Sequence, residues 1–220
     1  MFEITPDFLL MLAEFTFAYA ICVISPGPDF AMVVRNSVMY SRRTGMFTAL
    51  GTSLGLIFHA TYTLIGIAIL IKESEWGFTI IRVLGAGYLG YLGISSFFKK
   101  PVAFERMAHL DDDIKHLPAS EDLTAFQAVR IGFVTDALNP FCMVFFISIF
   151  ALVLDVNSTL PVKVFFGAEI FILALIWFLG TAWIFSNKQI RQQLARTGTW
   201  FGRITGSVLF YYGVKLALTV

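Results

Sequence analysis

Ile24-Ser25-Pro26-Gly27-Pro28-Asp29 interrupts an apolar run that resumes as Phe30-Ala31-Met32-Val33-Val34. Two prolines around a glycine cannot continue a regular helix, because each proline lacks an N–H donor and its ring clashes with the carbonyl one turn back. In water this stretch would be a turn. In a bilayer it is a broken helix with a carboxylate beside the break, and an ionisable group at that depth reads as a functional site.

Composition decides between the two. Of the 220 residues, 57% are hydrophobic and 14% charged, whereas a soluble domain carries about 25% charged residues. Six apolar segments lie near 8–34, 44–71, 77–98, 129–154, 161–185 and 200–219, each of roughly the about 17–25 residues a spanning helix needs. The sequence predicts an all-α integral membrane protein with six transmembrane helices and almost no soluble part. Residues 1–98 form a first three-helix unit, 99–128 a polar linker and 129–220 a second three-helix unit.

Charge sets the expected orientation. Twelve of the sixteen lysines and arginines fall in three places: Arg35, Arg42 and Arg43; Lys99, Lys100, Arg106, Lys115 and Arg130; and Lys188, Arg191, Arg196 and Arg203. Basic short loops mark the cytoplasmic side, so both termini are expected outside. Ala18-Tyr19-Ala20 looks like a signal-peptidase site, but the N-terminal stretch carries Glu3, Asp7 and Glu14 and no basic residue, so cleavage is not expected. Net charge of +1 gives no reason to expect nucleic acid. The two cysteines, Cys22 and Cys142, lie inside spans and indicate no disulfide framework. Asp111-Asp112-Asp113 lacks the glycine-turn spacing of a calcium loop and reads as part of a solvated linker. No metal motif and no cofactor is expected.

The fourth segment, Gly132-Phe133-Val134-Thr135-Asp136-Ala137-Leu138-Asn139-Pro140, repeats the design of the first: an acid and a proline within an apolar run. Only Asp29, Asp136 and Glu169 sit well inside spans. A charge at mid-helix costs about 2.5–3.5 kcal/mol on insertion scales, so each must face a cavity, pair or carry a proton. Pairing with Arg35 and Arg130 is the structural alternative. The candidate substrate or proton pathway comprises Pro26, Gly27, Pro28, Asp29, Thr135, Asp136, Asn139 and Pro140, with His59 and Glu169 as secondary candidates. Glycines such as Gly51 and Gly55, or Gly85 to Gly93, read as close helix packing.

Three spans, a linker and three spans suggest an internal duplication. An odd number of spans per half makes the halves inverted repeats, a plan in which paired broken helices carry the solute site. Half-helix N-termini favour an anionic group and exposed carbonyls a cation. A small zwitterion needs both. Pro28 lies about seven residues before its basic loop and Pro140 about ten after its own, which places both breaks toward one face and makes the expected symmetry approximate.

Ser25-Pro26-Gly27-Pro28-Asp29-Phe30, the basic loop, Gly45 with Leu50-Gly51-Thr52-Ser53-Leu54-Gly55, and the Gly132–Pro140 stretch together resemble the signatures of the lysine-exporter (LysE/RhtB) superfamily. The likeness is greatest to its threonine and homoserine-lactone efflux branch. The resemblance covers nearly the whole chain. It implies proton-driven export of amino acids or related metabolites across the bacterial inner membrane, by a transporter and not an enzyme. The partners implied are the bilayer, a small amino-acid-like solute and protons, with a homodimer left open. Two positions depart from the family pattern: Phe141 stands where a lysine is usual, and Asp136 where asparagine is often found. Both changes make the expected pocket more negative. Two other readings stay open beside this one. Divalent-cation export would use the intramembrane acids, and a membrane thiol–disulfide relay would use Cys22 and Cys142.

Overall fold

A computed structural model describes residues 6–73, 75–98, 110, 121–153 and 159–218. Among them the chain forms eight helices and no strand. They are α1 (Pro6–Ile24), α2 (Pro28–Met39), α3 (Arg42–Glu73), α4 (Glu75–Phe98), α5 (Ala125–Ala137), α6 (Pro140–Val153), α7 (Leu160–Phe185) and α8 (Lys188–Ala217). Three helical stretches are long and apolar enough to cross a membrane: Arg42–Gly66, Thr79–Phe98 and Leu160–Phe185. Counting α1 with α2, and α5 with α6, as one bent span each brings the number to five. The sixth apolar segment, near 200–219, lies in α8, a 30-residue helix that starts much earlier, at Lys188. Its start is fixed by Asn187, whose side chain accepts from the N–H groups of Gln189 and Ile190, and not by hydropathy. Most of the linker at 99–128, with Lys99, Lys100, Arg106, Lys115 and Asp111-Asp112-Asp113, lies outside the described residues.

Both breaks form where proline dictates. Helix α1 closes at Ile24, and Pro28 opens α2 behind the extended Gly27 (φ −99°, ψ −168°). Proline suits the first helical position, where its missing N–H has no partner to lose. The two axes meet at 49°. Helix α5 starts three residues before the expected end of the linker, at a reciprocal cap: Thr124 Oγ1 accepts from Gln127 N at 3.3 Å, and Gln127 Oε1 from Thr124 N at 3.0 Å. It stops before Pro140, and α6 leaves at 59°. Helices α2 and α5 have 12 and 13 residues, so at 1.5 Å per residue each break lies about 18–20 Å from the basic end of its helix. The two half-helices on this side are nearly equal in length because α2 runs past Arg35 to Met39 and α5, begun at Ala125, ends at Ala137 before the break.

Glycines bring two helix pairs to backbone contact. A Cβ on Gly51 would overlap the Val129 carbonyl, and one on Gly132 the Thr48 carbonyl, which joins α3 to α5. Helix α4 meets α8 in the same way: a Cβ on Gly93 would lie 2.7 Å from Gly206 O, and one on Gly206 2.5 Å from Gly93 O. Backbones this close gain dispersion contact where lipid offers no hydrophobic drive.

On the far side of the breaks from the basic ends, the core is aromatic. Phe15 stacks on Phe150 (5.7 Å between centroids, 11°) and meets Phe166 edge-on at 4.7 Å. Tyr19 and Phe146 continue the cluster at 6.0 Å. On the basic side the buried side chains are often polar: Asn36, Ser37, Thr44, Thr48, Thr52 and Thr181.

Candidate functional site at the paired breaks

Asp29 lies in the first turn of α2 and is 7% exposed. Its Oδ2 accepts from Asn139 Nδ2 at 2.7 Å and from the Cys142 thiol at 3.6 Å, and its Oδ1 has no partner. Asn139 serves both breaks. Its Oδ1 accepts from Phe141 N at 3.0 Å, capping α6, while its amide holds Asp29. A residue 110 positions away thus fixes the carboxylate of the first break.

Asp136 is the penultimate residue of α5 and is fully buried. Among the described residues neither of its carboxylate oxygens accepts from a hydroxyl, amide or ring N–H, and its nearest polar side chains are the Asp29 carboxyl, the Cys142 thiol and His59. His59 of α3 reaches it through the backbone, with Nε2 2.7 Å from the Asp136 carbonyl and Nδ1 2.6 Å from Tyr62 Oη. A carbonyl only accepts, so Nε2 carries the proton. The same nitrogen is 3.7 Å from Asp136 Oδ2. Gly55 leaves the room for Asp136, since a Cβ there would come within 2.5 Å of Oδ2.

Asp29, Asp136 and Cys142 each offer a polar atom, and these three atoms lie within 4.8 Å of one another. The cavity beside them is lined by Asp29, Asn139, Phe141, Cys142, Cys22 and Tyr19 among others, and its volume is about 20 Å³. That is room for about one water-sized molecule and not for an amino acid. The N-termini of α2 and α6 and the C-termini of α1 and α5 all end here, which puts unpaired N–H groups and carbonyls around one point.

The breaks therefore unite Pro26, Gly27, Pro28, Asp29, Asp136, Asn139 and Pro140, with His59 joined through Asp136. Thr135 is placed elsewhere, lining a surface groove with Gln127, Arg130 and Ile131. Glu169 of α7 sits away from the breaks, where it accepts from Thr16 of α1; Thr16 is nine residues before Ser25. Among the described residues, the contacts of Asp29 and Asp136 involve neither Arg35 nor Arg130, both of which are exposed. Cys142 was missed by the sequence reading as a site residue. Its position in the first turn after Pro140 was the available signal, because a helix start beside a break points its first side chains into that break. Both cysteines are free.

At the basic end Asp122, just before α5, accepts from Ser41 Oγ at 2.6 Å and from Thr44 Oγ1. The two hydroxyls, Ser41 foremost, hold its carboxyl below the usual carboxylate range. Arg42 crosses to α7, donating to Ser186 Oγ at 3.2 Å with its guanidinium 5.8 Å from the Trp183 ring centroid.

The family model described as LysE type translocator matches residues 20–219. The chain belongs to that family. The uncharacterized membrane protein YrhP of Bacillus subtilis is 30% identical over 91% of this chain and 95% of its own length. The threonine efflux protein of Salmonella typhimurium is 27% identical over 96% of this chain and all of its own. A leucine efflux protein of Salmonella choleraesuis is 31% identical over 69% of this chain and 65% of its own. No solved structure matches. With this family and its apolar helices, this LysE translocator is a multi-pass membrane protein.

Proposed function

We propose that the protein exports amino acids or closely related small zwitterions across the bacterial inner membrane, driven by protons. In this reading it has six spans in two inverted triples, 1–98 and 129–220, with α1–α2 and α5–α6 as the equivalent broken spans. The basic loops face the cytoplasm and both termini lie outside. The observation that carries the reading is the meeting of the two breaks: two buried carboxylates, Asp29 and Asp136, with no arginine or lysine of the described residues among their contacts, beside two helix N-termini. Two carboxylates this close and away from water repel unless they share a cation or a proton. The ammonium of a solute and a coupling proton meet that need alternately, and the helix N-termini suit the solute carboxylate. The relatives named for threonine and leucine efflux support an amino acid as the solute.

The test is a panel of radiolabelled amino acids loaded into proteoliposomes, with efflux followed with and without an imposed proton gradient. Asp29→Asn is expected to abolish export while the protein still folds and inserts. Full export by that variant would remove Asp29 from the mechanism. A second reading, divalent-cation export, is favoured by the carboxylate–thiol cluster. Growth protection against metals, compared with protection against amino acids, in a strain lacking the gene separates the two.

A further inference from the structure

We propose that Asp29, Asp136 and Cys142 form a binding site for one thiophilic divalent cation, Zn²⁺ or Cd²⁺ in class, and that an ion seated there arrests transport. The donor set is two carboxylates and a thiol, each from a different helix and each no more than 7% exposed. The independent observation is that three carboxylate oxygens, both of Asp136 and one of Asp29, are buried with no hydrogen-bond partner. Buried acceptors are nearly always paired, so open oxygens beside a thiol, with ligand atoms within 4.8 Å of one another, are answered by a cation or a shared proton.

The chemistry of the donors narrows the class. Hard cations such as Mg²⁺ and Ca²⁺ prefer six or more oxygen ligands, whereas a thiolate selects softer ions. Zinc bonds of about 2.3 Å to sulfur and about 2.0–2.2 Å to oxygen put tetrahedral ligands about 3.5 Å apart. The present spread of up to 4.8 Å therefore closes by about 1 Å as the side chains swing inward to zinc bonding distance. Binding converts the Cys142 thiol to a metal-bound thiolate and releases its proton to solvent, with no change of oxidation state. His59 is not a donor in this arrangement, because its Nε2 faces the Asp136 carbonyl and its Nδ1 the Tyr62 hydroxyl.

An ion seated here occupies the carboxylates that the efflux reading gives to the solute and proton. The arrest rests on that reading; the binding does not. Purified protein in detergent is titrated with CdCl₂, following the thiolate-to-cadmium charge-transfer absorbance and proton release. The expected result is one equivalent bound, with the band lost in Cys142→Ser and kept in Cys22→Ser. In Asp136→Asn, affinity is expected to fall by more than the roughly 10–100-fold typical of losing an outer-shell partner. If Asp136→Asn does not fold, protection of Cys142 from maleimide by Cd²⁺ in wild-type protein reads the same site. A band that survives Cys142→Ser, or no saturable band in wild type, overturns the assignment. In proteoliposomes, Cd²⁺ should stop efflux by wild type, reversibly with a chelator, over the same concentrations that fill the site in the titration. Cadmium that binds but leaves efflux untouched, or is itself exported, overturns the arrest. If no amino acid is exported at all, the efflux reading fails while the titration still decides the site.

Discussion

The two ends of the molecule are closed by different means. On one side of the breaks, Phe15, Tyr19, Phe146, Phe150 and Phe166 fill the interior with stacked and edge-on rings. On the other, α3 and α5 touch backbone to backbone at Gly51 and Gly132, and the buried side chains include Thr48, Thr52 and Thr181. Thr52 and Thr181 have hydroxyls without a partner. A ring cluster closes by dispersion, and the carboxyl at that end, Glu169, is held by the Thr16 hydroxyl. Unpartnered hydroxyls are poor for stability but ready to bond a solute or water. The aromatic end has the character of a plug and the polar end that of a lined approach, with Asp29 and Asp136 between them.

Four substitutions sharpen or break that contrast. Phe15→Ala removes the ring at the centre of the plug and should cost about 3–5 kcal/mol, as large-to-small core changes do. Unfolding in mixed micelles measures it, and a loss no larger than that of a lipid-facing control such as Phe17→Ala would end the idea of a plug. Gly132→Ala forces α5 off the Thr48 carbonyl and should cost about 1–3 kcal/mol, the usual range for overpacking. An equally stable Gly132→Ala protein would show that the α3–α5 contact has slack. Thr52→Val deletes a hydroxyl that bonds nothing, so stability should change by less than about 1 kcal/mol. Efflux should nonetheless slow severalfold; unchanged efflux would leave the polar lining without a role.

The smallest effect concerns Asp122. Its carboxyl lies below the ordinary range through the Ser41 and Thr44 hydroxyls, so its contribution is full above the unfolded value of about 3.9. That contribution is lost as pH falls further, through the lowered folded value. Melting temperature against pH should therefore drop more steeply in acid for wild type than for Asp122→Asn. Parallel curves would mean the clasp between α3 and α5 adds nothing, as exposed charge pairs often do.

Much of the site was legible because prolines and intramembrane acids are rare and their effects are local. Pro26, Pro28 and Pro140 cannot be helix interior, and Asp29 and Asp136 had to be answered by something. What answered them was not legible. The Asn139–Asp29 bond joins residues far apart in sequence, and Cys142 comes to Asp29 only because α6 departs at 59° from α5. Thr135 looked equivalent to its neighbours in the motif, yet one residue is about 100° of helix at 3.6 residues per turn, and that turns it to the surface groove. The start of α8 was hidden for another reason. A polar helix that runs out of the apolar zone looks like a loop to any hydropathy window, and only the Asn187 cap marks it.

The cavity beside the carboxylates holds about 20 Å³. In the proposed reading the protein lies in the membrane across which a cell stores its energy, and a standing water column through the site would drain that store continuously. Rings packed on one side and backbones pressed together on the other would keep the resting protein electrically tight. A variant that enlarges this cavity would therefore betray itself first as falling membrane potential in growing cells, before any change in the solutes it carries.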